Sequence, residues 1–197
     1  MMNFDEFIKT KEYSELPKGQ LYIPDERCLY NTARGRVAEI GCLCGRSAVL
    51  MSYVADSVST FDIFENYDLI EDEKQRKHYK KISLNFIHNY KTIRDNLWKY
   101  ENIGVFSGNS ESLIVLARYA GLYDFVFIDG DHSYNGAKKD FENALKVIKP
   151  NGIIAFHDSN VHEEGMGVWK LMDELKKDIR YELQEQEGVI TLLSLKA

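Results

Sequence analysis

What most constrains this chain is an alternation. Short, nearly continuous apolar runs, each followed within two residues by a glycine or an ionisable side chain, are separated by longer stretches with helical spacing. The runs are RVAEI (36–40), SVSTF (57–61), NIGVF (102–106), DFVFI (124–128) and GIIAF (152–156). Several are apolar at successive positions, the pattern of a strand buried on both faces. Helix candidates lie between them at 45–55, across an inserted region at 71–99, at 110–119 and at 134–148, the last stopped by KPNG at 149–152. Such alternation builds right-handed βαβ units, so the fold class is α/β with a doubly wound, mostly parallel sheet. After a further helix at about 167–178, the tail YELQEQEGVITLLSL reads as two strands around a tight turn at Glu187 and Gly188, adding an antiparallel strand at one edge.

At 197 residues the chain is expected to form one domain, 1–197, with a sizeable core and one active site. Residues 1–35 read as an N-terminal helical segment packing over that site, and 64–100 as a helical insertion. A net charge of -6 with 28% charged residues describes a mildly acidic surface. Nucleic acid is not expected as a partner, because neutralising phosphates calls for clustered Lys and Arg. The densest basic stretch, EDEKQRKHYKK (71–81), is interleaved with acids and reads as a solvated helix face. No run approaches the roughly eighteen apolar residues of a membrane span. MMNFDEFIKT lacks the apolar core of a signal peptide, so a cytoplasmic protein with no membrane partner is expected. Cys28, Cys42 and Cys44 have neither disulfide nor zinc spacing and read as reduced, buried thiols.

In open sheets of this kind, ligands sit beyond the carboxyl ends of the strands, where the strand order reverses. Each chemically suggestive stretch falls there: EIGCLCG, Asp62, SGNS, DGDH and HDSN follow the five runs in turn. In VAEIGCLCGRS, Gly41 permits a tight turn and Gly45 lets the next helix approach the strand. The spacing is G-x-x-x-G with Glu39 ahead of it, not the G-x-G-x-x-G of a dinucleotide site. An acid there disfavours phosphate and suits an ammonium or sulfonium, although the turn alone could equally be structural. Asp62, ending the second run, can accept both hydroxyls of a ribose.

These residues resemble class I S-adenosylmethionine-dependent methyltransferases, more closely the small O-methyltransferase group related to the macrocin O-methyltransferases. The likeness runs from LYIPDERCLYNTARGRVAEIGCLCGRS through FDIFEN and FSGNSES to FVFIDGDHSYNGAKKDFENALKVIKPNGIIAFHDSN and GVWKLMDEL. The long block spanning the fourth and fifth runs is its most specific part. The resemblance implies a Rossmann-like, seven-stranded sheet with an antiparallel last strand, S-adenosylmethionine as cofactor, and O-methylation of a small hydroxyl compound or sugar. By position, Glu39, Gly41 and Gly45 would line the methionine end of the cofactor and Asp62 would hold the ribose. Gly108, Asn109 and Ser110 would border the adenine, with Asp129 also on the cofactor side.

Asp129 and Asp158 end neighbouring runs, where two carboxylates can share one hard cation, Mg²⁺ or Mn²⁺, able to lower a hydroxyl's pKa. Metal-dependent relatives, the catechol-type enzymes included, keep an acid at each position and an Asn directly after the second. Here Ser159 stands in that place and Asn160 follows, so the third ligand is expected to be Ser159 or, alternatively, Asp131. With no metal, Asp129 would cap a turn and Asp158 would border the pocket. His132 lies where the catechol-type enzymes place a lysine base, and an imidazole suits that task; with Asp129 it forms the expected catalytic pair. His157 reads as a hydrogen-bonded supporting residue, and Tyr134 and Trp169 as pocket wall or core. Two other classes stay open. A metal-dependent hydroxylase could use the same scaffold, as the cephalosporin hydroxylases suggest by resemblance, and a non-catalytic nucleoside-binding module would need neither Asp129 with Asp158 nor His132. The expected partner is a small hydroxyl compound, and a homodimer is left open.

Overall fold

The computed structural model describes residues 2–70, 73–83 and 88–196; the parts of the expected insertion helices at 71–72 and 84–87 fall outside them. In chain order, α1 (Phe4–Phe7), α2 (Lys11–Ser14) and α3 (Ile23–Thr32) precede β1 (Arg36–Ile40), α4 (Arg46–Ser52) and β2 (Ser57–Asp62). A single 3-10 turn (Tyr67–Leu69), α5 (Glu73–Ser83) and α6 (Tyr90–Leu97) lead to β3 (Ile103–Ser107), α7 (Ser110–Ala120) and β4 (Tyr123–Ile128). Then come α8 (Tyr134–Ala144), β5 (Ile148–Phe156), α9 (Val168–Leu175), β6 (Tyr181–Glu185) and β7 (Thr191–Leu195).

The seven strands form one sheet in the order β3-β2-β1-β4-β5-β7-β6. β1 to β5 run parallel, and β7 is antiparallel to both β5 and β6. The order reverses between β1 and β4, which opens a crevice at their carboxyl ends. Register levels those ends: Ile40 pairs with Phe61 on one side and Ile128 on the other, and Ile128 pairs with Phe156. Gly41, Asp62, Asp129 and His157 therefore emerge side by side along one edge.

β4 explains why these runs are apolar at every position. Phe125 and Phe127 pack into the layer holding α3, α4 and α6, with Leu29, Leu50 and Leu97. Val126 and Ile128 pack into the opposite layer with Leu113 of α7, Phe141 of α8 and Leu171 of α9. Each strand residue faces one helix layer or the other, so alternation disappears from the sequence. The first turns are capped locally: Ser133 accepts from the Gly136 amide before α8, and Asn109 from the Glu111 amide before α7.

Three expectations need correction. α8 ends at Ala144 rather than at 148, because Val147 already accepts a hydrogen bond from the Tyr123 amide of β4. KPNG does not stop the helix but bulges within β5, whose register to β4 shifts between Tyr123 and Phe125. The tail hairpin turns over the five residues from Gln186 to Ile190, and its antiparallel strand β7 lies inside the edge strand β6. The N-terminal segment packs mainly against the helix layer, where Phe4, Phe7 and Leu16 join the α4 core and Phe7 stacks on Tyr30 at 4.8 Å.

Candidate active site

The carboxyl edge of the sheet opens into a cavity of about 1240 Å³. Its floor is built from the residues following β1, β2, β3, β4 and β5 in turn, and its walls come from residues 19–22, from α5 and from the loop after β5. α5 is tied across it. Lys74 pairs with Glu164 at 2.7 Å, Gln75 donates to the Gly165 carbonyl at 2.7 Å, and the Tyr79 hydroxyl donates to the Gly130 carbonyl.

The turn after β1 requires its first glycine. Gly41 has φ +94°, and a Cβ there would lie 2.0 Å from the Asp129 carbonyl oxygen, so β1 and β4 touch backbone to backbone at this point. Glu39 is fully buried behind the turn and is not on the cavity wall, contrary to the expectation that it lines a ligand. Strand alternation turns it inward, where Thr60 donates to Oε2 at 2.5 Å while Oε1 has no partner. Burial, reinforced by Asp129 and Asp62, pushes its carboxyl up to about 8.

Asp62 sits beside this turn with its oxygens engaged. Oδ2 accepts from the Cys42 and Leu43 amides at 2.8 and 3.0 Å, and Oδ1 accepts from the Phe64 amide at 2.8 Å. His88 Nε2 lies 3.1 Å from Oδ1. Burial opposes the charge on Asp62, but His88 and the amides outweigh it and hold the carboxyl below its ordinary range. Gly108, Asn109 and Ser110 line the cavity next to it. Both side chains there are tied to the protein: Asn109 caps α7, and Ser110 Oγ accepts from Asn143 Nδ2 at 2.9 Å.

Asp129, His132 and Asp158 converge, offering ligand atoms that all lie within 4.8 Å of one another. His132 bridges the two acids, with Nε2 3.3 Å from Asp129 Oδ1 and Nδ1 3.1 Å from Asp158 Oδ2. Burial disfavours the imidazolium, yet Asp129 and Asp158 outweigh it and raise the His132 pKa. For Asp129 burial likewise opposes the charge, and His157 with His132 pulls its carboxyl well below the usual range. Asp158 adopts φ +51°, an uncommon backbone for a residue with a side chain.

Of the other two expected ligands, Ser159 faces away from the cavity, whereas Asp131 lines it with Oδ1 engaged. Ser159 donates to the Val189 carbonyl and accepts from Thr191 Oγ1, both at 2.9 Å, because its side chain faces β7. Asp131 accepts from the Ser133 amide at 2.9 Å and seats against Gly136 at the start of α8. Tyr134 and Trp169 are off the cavity wall, Tyr134 bonded to Glu174 and Trp169 stacked on His162.

Several residues of the site carry no sequence signal. Asp25 of α3 is fully buried and lies 3.8 Å from His157 Nε2 through Oδ2. His88 and Tyr79 arrive from the insertion. Asp140 reaches the cavity from α8, and burial first, then Asp131, raises its carboxyl to about 7. Nothing local distinguishes these from surface residues; only the α-helical spacing of Asp140 with Ala137 and Phe141 hinted that it faces inward.

A parallel sheet with one reversed strand, second from its edge, and a ligand cavity at the switch point define a Rossmann-like methyltransferase fold. Residues 38–159 match the family model described as a methyltransferase domain, and the chain belongs to that family. An uncharacterized protein of Sinorhizobium fredii, y4gI, is 42% identical over 52 residues, a match covering 26% of this chain and 6% of that curated relative. An O-methyltransferase from Bacillus cereus, solved in complex with S-adenosylhomocysteine (SAH), superposes with a TM-score of 0.60 at 17% identity, covering 98% of this chain and 90% of its own. The O-methyltransferase NovP gives 0.65 at 15% identity, covering 89% and 81%. At these identities the likeness establishes the fold. Among the described residues, no helix is long and apolar enough to cross a membrane.

Proposed function

We propose that the chain is an S-adenosylmethionine-dependent O-methyltransferase acting on a small hydroxyl compound or sugar, assisted by a divalent cation, Mg²⁺ or Mn²⁺. The observation that carries this reading is the placement of the Gly41 turn, Asp62 and the Asp129–Asp158 pair around one cavity. The donors suit both groups. A glycine turn beside a carboxylate at the strand ends fits a nucleoside, and two carboxylates beside an imidazole fit a divalent cation. When bound, the sulfonium supplies an electrophilic methyl group and the cation acidifies a hydroxyl.

The chain's own residues would do the remaining work. Asp62 accepts the ribose hydroxyls once His88 yields Oδ1, and Gly108, Asn109 and Ser110 border the base. Gly45 lets α4 close on the methionine end, while Glu39 supports the floor from behind. With Asp129 and Asp158 holding the cation, His132, lodged between them, would take up the acceptor's proton. α5 and the loop after β5 exclude water and align the acceptor for in-line transfer, a large share of the rate in a displacement of this kind.

Calorimetry with SAH tests the cofactor half. Binding is expected, and Asp62→Ala should weaken it at least about tenfold by leaving the diol poorly paired. Unchanged affinity in that variant would sink the ribose assignment. Replacing Asp129 or Asp158 with Ala should abolish cation-dependent turnover while leaving SAH binding nearly intact, and turnover unaffected by chelator would remove the cation from the reading.

A further inference from the structure

Resting on the proposed cofactor site, we infer that Asp140 is the residue that selects adenine, its carboxyl pairing with the edge of the base that carries the exocyclic amine. Asp140 belongs to α8 and lines the cavity beside Ser110, where the base would lie. The residue is 8% exposed, and its Oδ2 seats against Gly130, where a Cβ would lie 3.0 Å away. The methyl-transfer chemistry itself makes no use of it.

The neighbours that could read the base are engaged elsewhere. Asn109 Oδ1 caps α7 by taking the Glu111 amide at 3.1 Å. Ser110 Oγ accepts from Asn143 Nδ2 at 2.9 Å and turns its own hydrogen to Asp140. Asp140 keeps capacity to spare, because a carboxyl offers about four lone-pair positions and Ser110 takes one. Lys139, next to it on α8, pairs with Glu111 at 3.2 Å, and among the described residues no ion pair offsets the burial of Asp140. A carboxyl withdrawn from water at the wall of a ligand cavity, with no cation of its own, is costly to the fold and marks a place where a ligand supplies the missing partner.

The form of the carboxyl suits adenine. Burial raises it to about 7; Ser110 opposes that rise, Asp131 on the loop after β4 adds to it, and Lys139 and His132 oppose it. Below that pH the group presents one O–H donor beside one carbonyl acceptor. An asparagine carboxamide has the same arrangement and holds adenine through the N6 amine and the N7 acceptor. The edge formed by N6 and N1 offers the same pair of groups. A base without the amine would leave the carbonyl oxygen unpaired in a buried place, which is how a polar site rejects the wrong ligand.

Calorimetry at about pH 6 tests this with two ligands, SAH and its purine-riboside analogue, which lacks only the exocyclic amine. Competition from His88 at the ribose is common to both and cancels in the ratio. The unaltered chain should prefer SAH by about tenfold or more. Asp140→Leu should erase that preference, weakening SAH about tenfold while leaving the analogue within about threefold. Asp140→Asn, which keeps a donor beside an acceptor, should hold both affinities within about threefold. Asp140→Ala carries the same expectation as the Leu variant, should thermal melts show that the larger side chain prevents folding. Equal binding of the two ligands by the unaltered chain, or equal weakening of both in the Leu and Ala variants, overturns the inference and leaves the cofactor site standing. Failure of the unaltered chain to bind SAH at all overturns the inference together with the cofactor half of the proposed function.

Discussion

Asp62 shows how much one carboxylate can be asked to do. Its two oxygens already take three backbone amides, and His88 Nε2 lies 3.1 Å from Oδ1, so under the proposed function a ribose hydroxyl has to displace it. Asp62 raises the His88 pKa against the effect of burial, so the imidazolium is favoured at low pH and competes best there. SAH affinity is therefore expected to rise as pH increases through the His88 pKa. His88→Ala should tighten binding about three- to tenfold at pH 6 and remove that pH dependence, both readable by calorimetry. Asp140 gives the opposite kind of test. Its carboxyl is raised to about 7 from an ordinary 3.8, so the folded state holds the proton more tightly than the unfolded one. Stability from this group is full below about pH 4 and is lost as pH climbs toward and past 7. Asp140→Asn should be nearly neutral at pH 4.5 and stabilising by about 2 kcal/mol at pH 8.5, raising Tm by about 4–8 °C in thermal melts.

At the scale of elements, the turn joining β1 to α4 is the least tolerant part of the fold. Its glycine is squeezed against the backbone that follows β4, so a single methyl group pushes two parallel strands apart at their ligand end. Gly41→Ala is expected to cost about 3 kcal/mol or more in denaturant unfolding and to abolish SAH binding even where circular dichroism still reports the sheet. The same element was legible in VAEIGCLCG, because a tight turn after a buried strand leaves glycines at fixed places. β5 was only half legible. Its first residues are hidden behind KPNG, which reads as a helix stop but forms a bulge, since Ile148 pairs with Tyr123 before the ladder resumes at Ile153. Local propensity cannot see a partner strand.

For the whole molecule, the cavity is assembled from segments remote in sequence, including residues 19–22, the insertion and the loop after β5. A ligand that fills it links all of them. SAH at about a hundred times its dissociation constant should add about 2.7 kcal/mol to stability and raise Tm by about 5–10 °C, measured by scanning calorimetry with and without SAH. An unchanged Tm at saturating SAH would mean that the nucleoside engages none of this assembly.

The sequence by itself determined the kinds of element, their order and the level at which the site lies, because burial on two faces writes apolar runs and a parallel sheet puts every strand's next residue on one edge. It also singled out Asp62, Asp129, His132 and Asp158, which the tertiary structure brings to one cavity. Only the tertiary structure decided where their neighbours point. Glu39 turns behind the floor, Ser159 turns to β7, and His132 lodges between two acids. Asp25 and His88 enter from elements whose own patterns gave no sign of the site. The physical reason is that periodicity is a property of a segment, whereas a side chain's direction beyond a strand end depends on turn dihedrals such as the +51° φ of Asp158 and on neighbours supplied by distant parts of the chain.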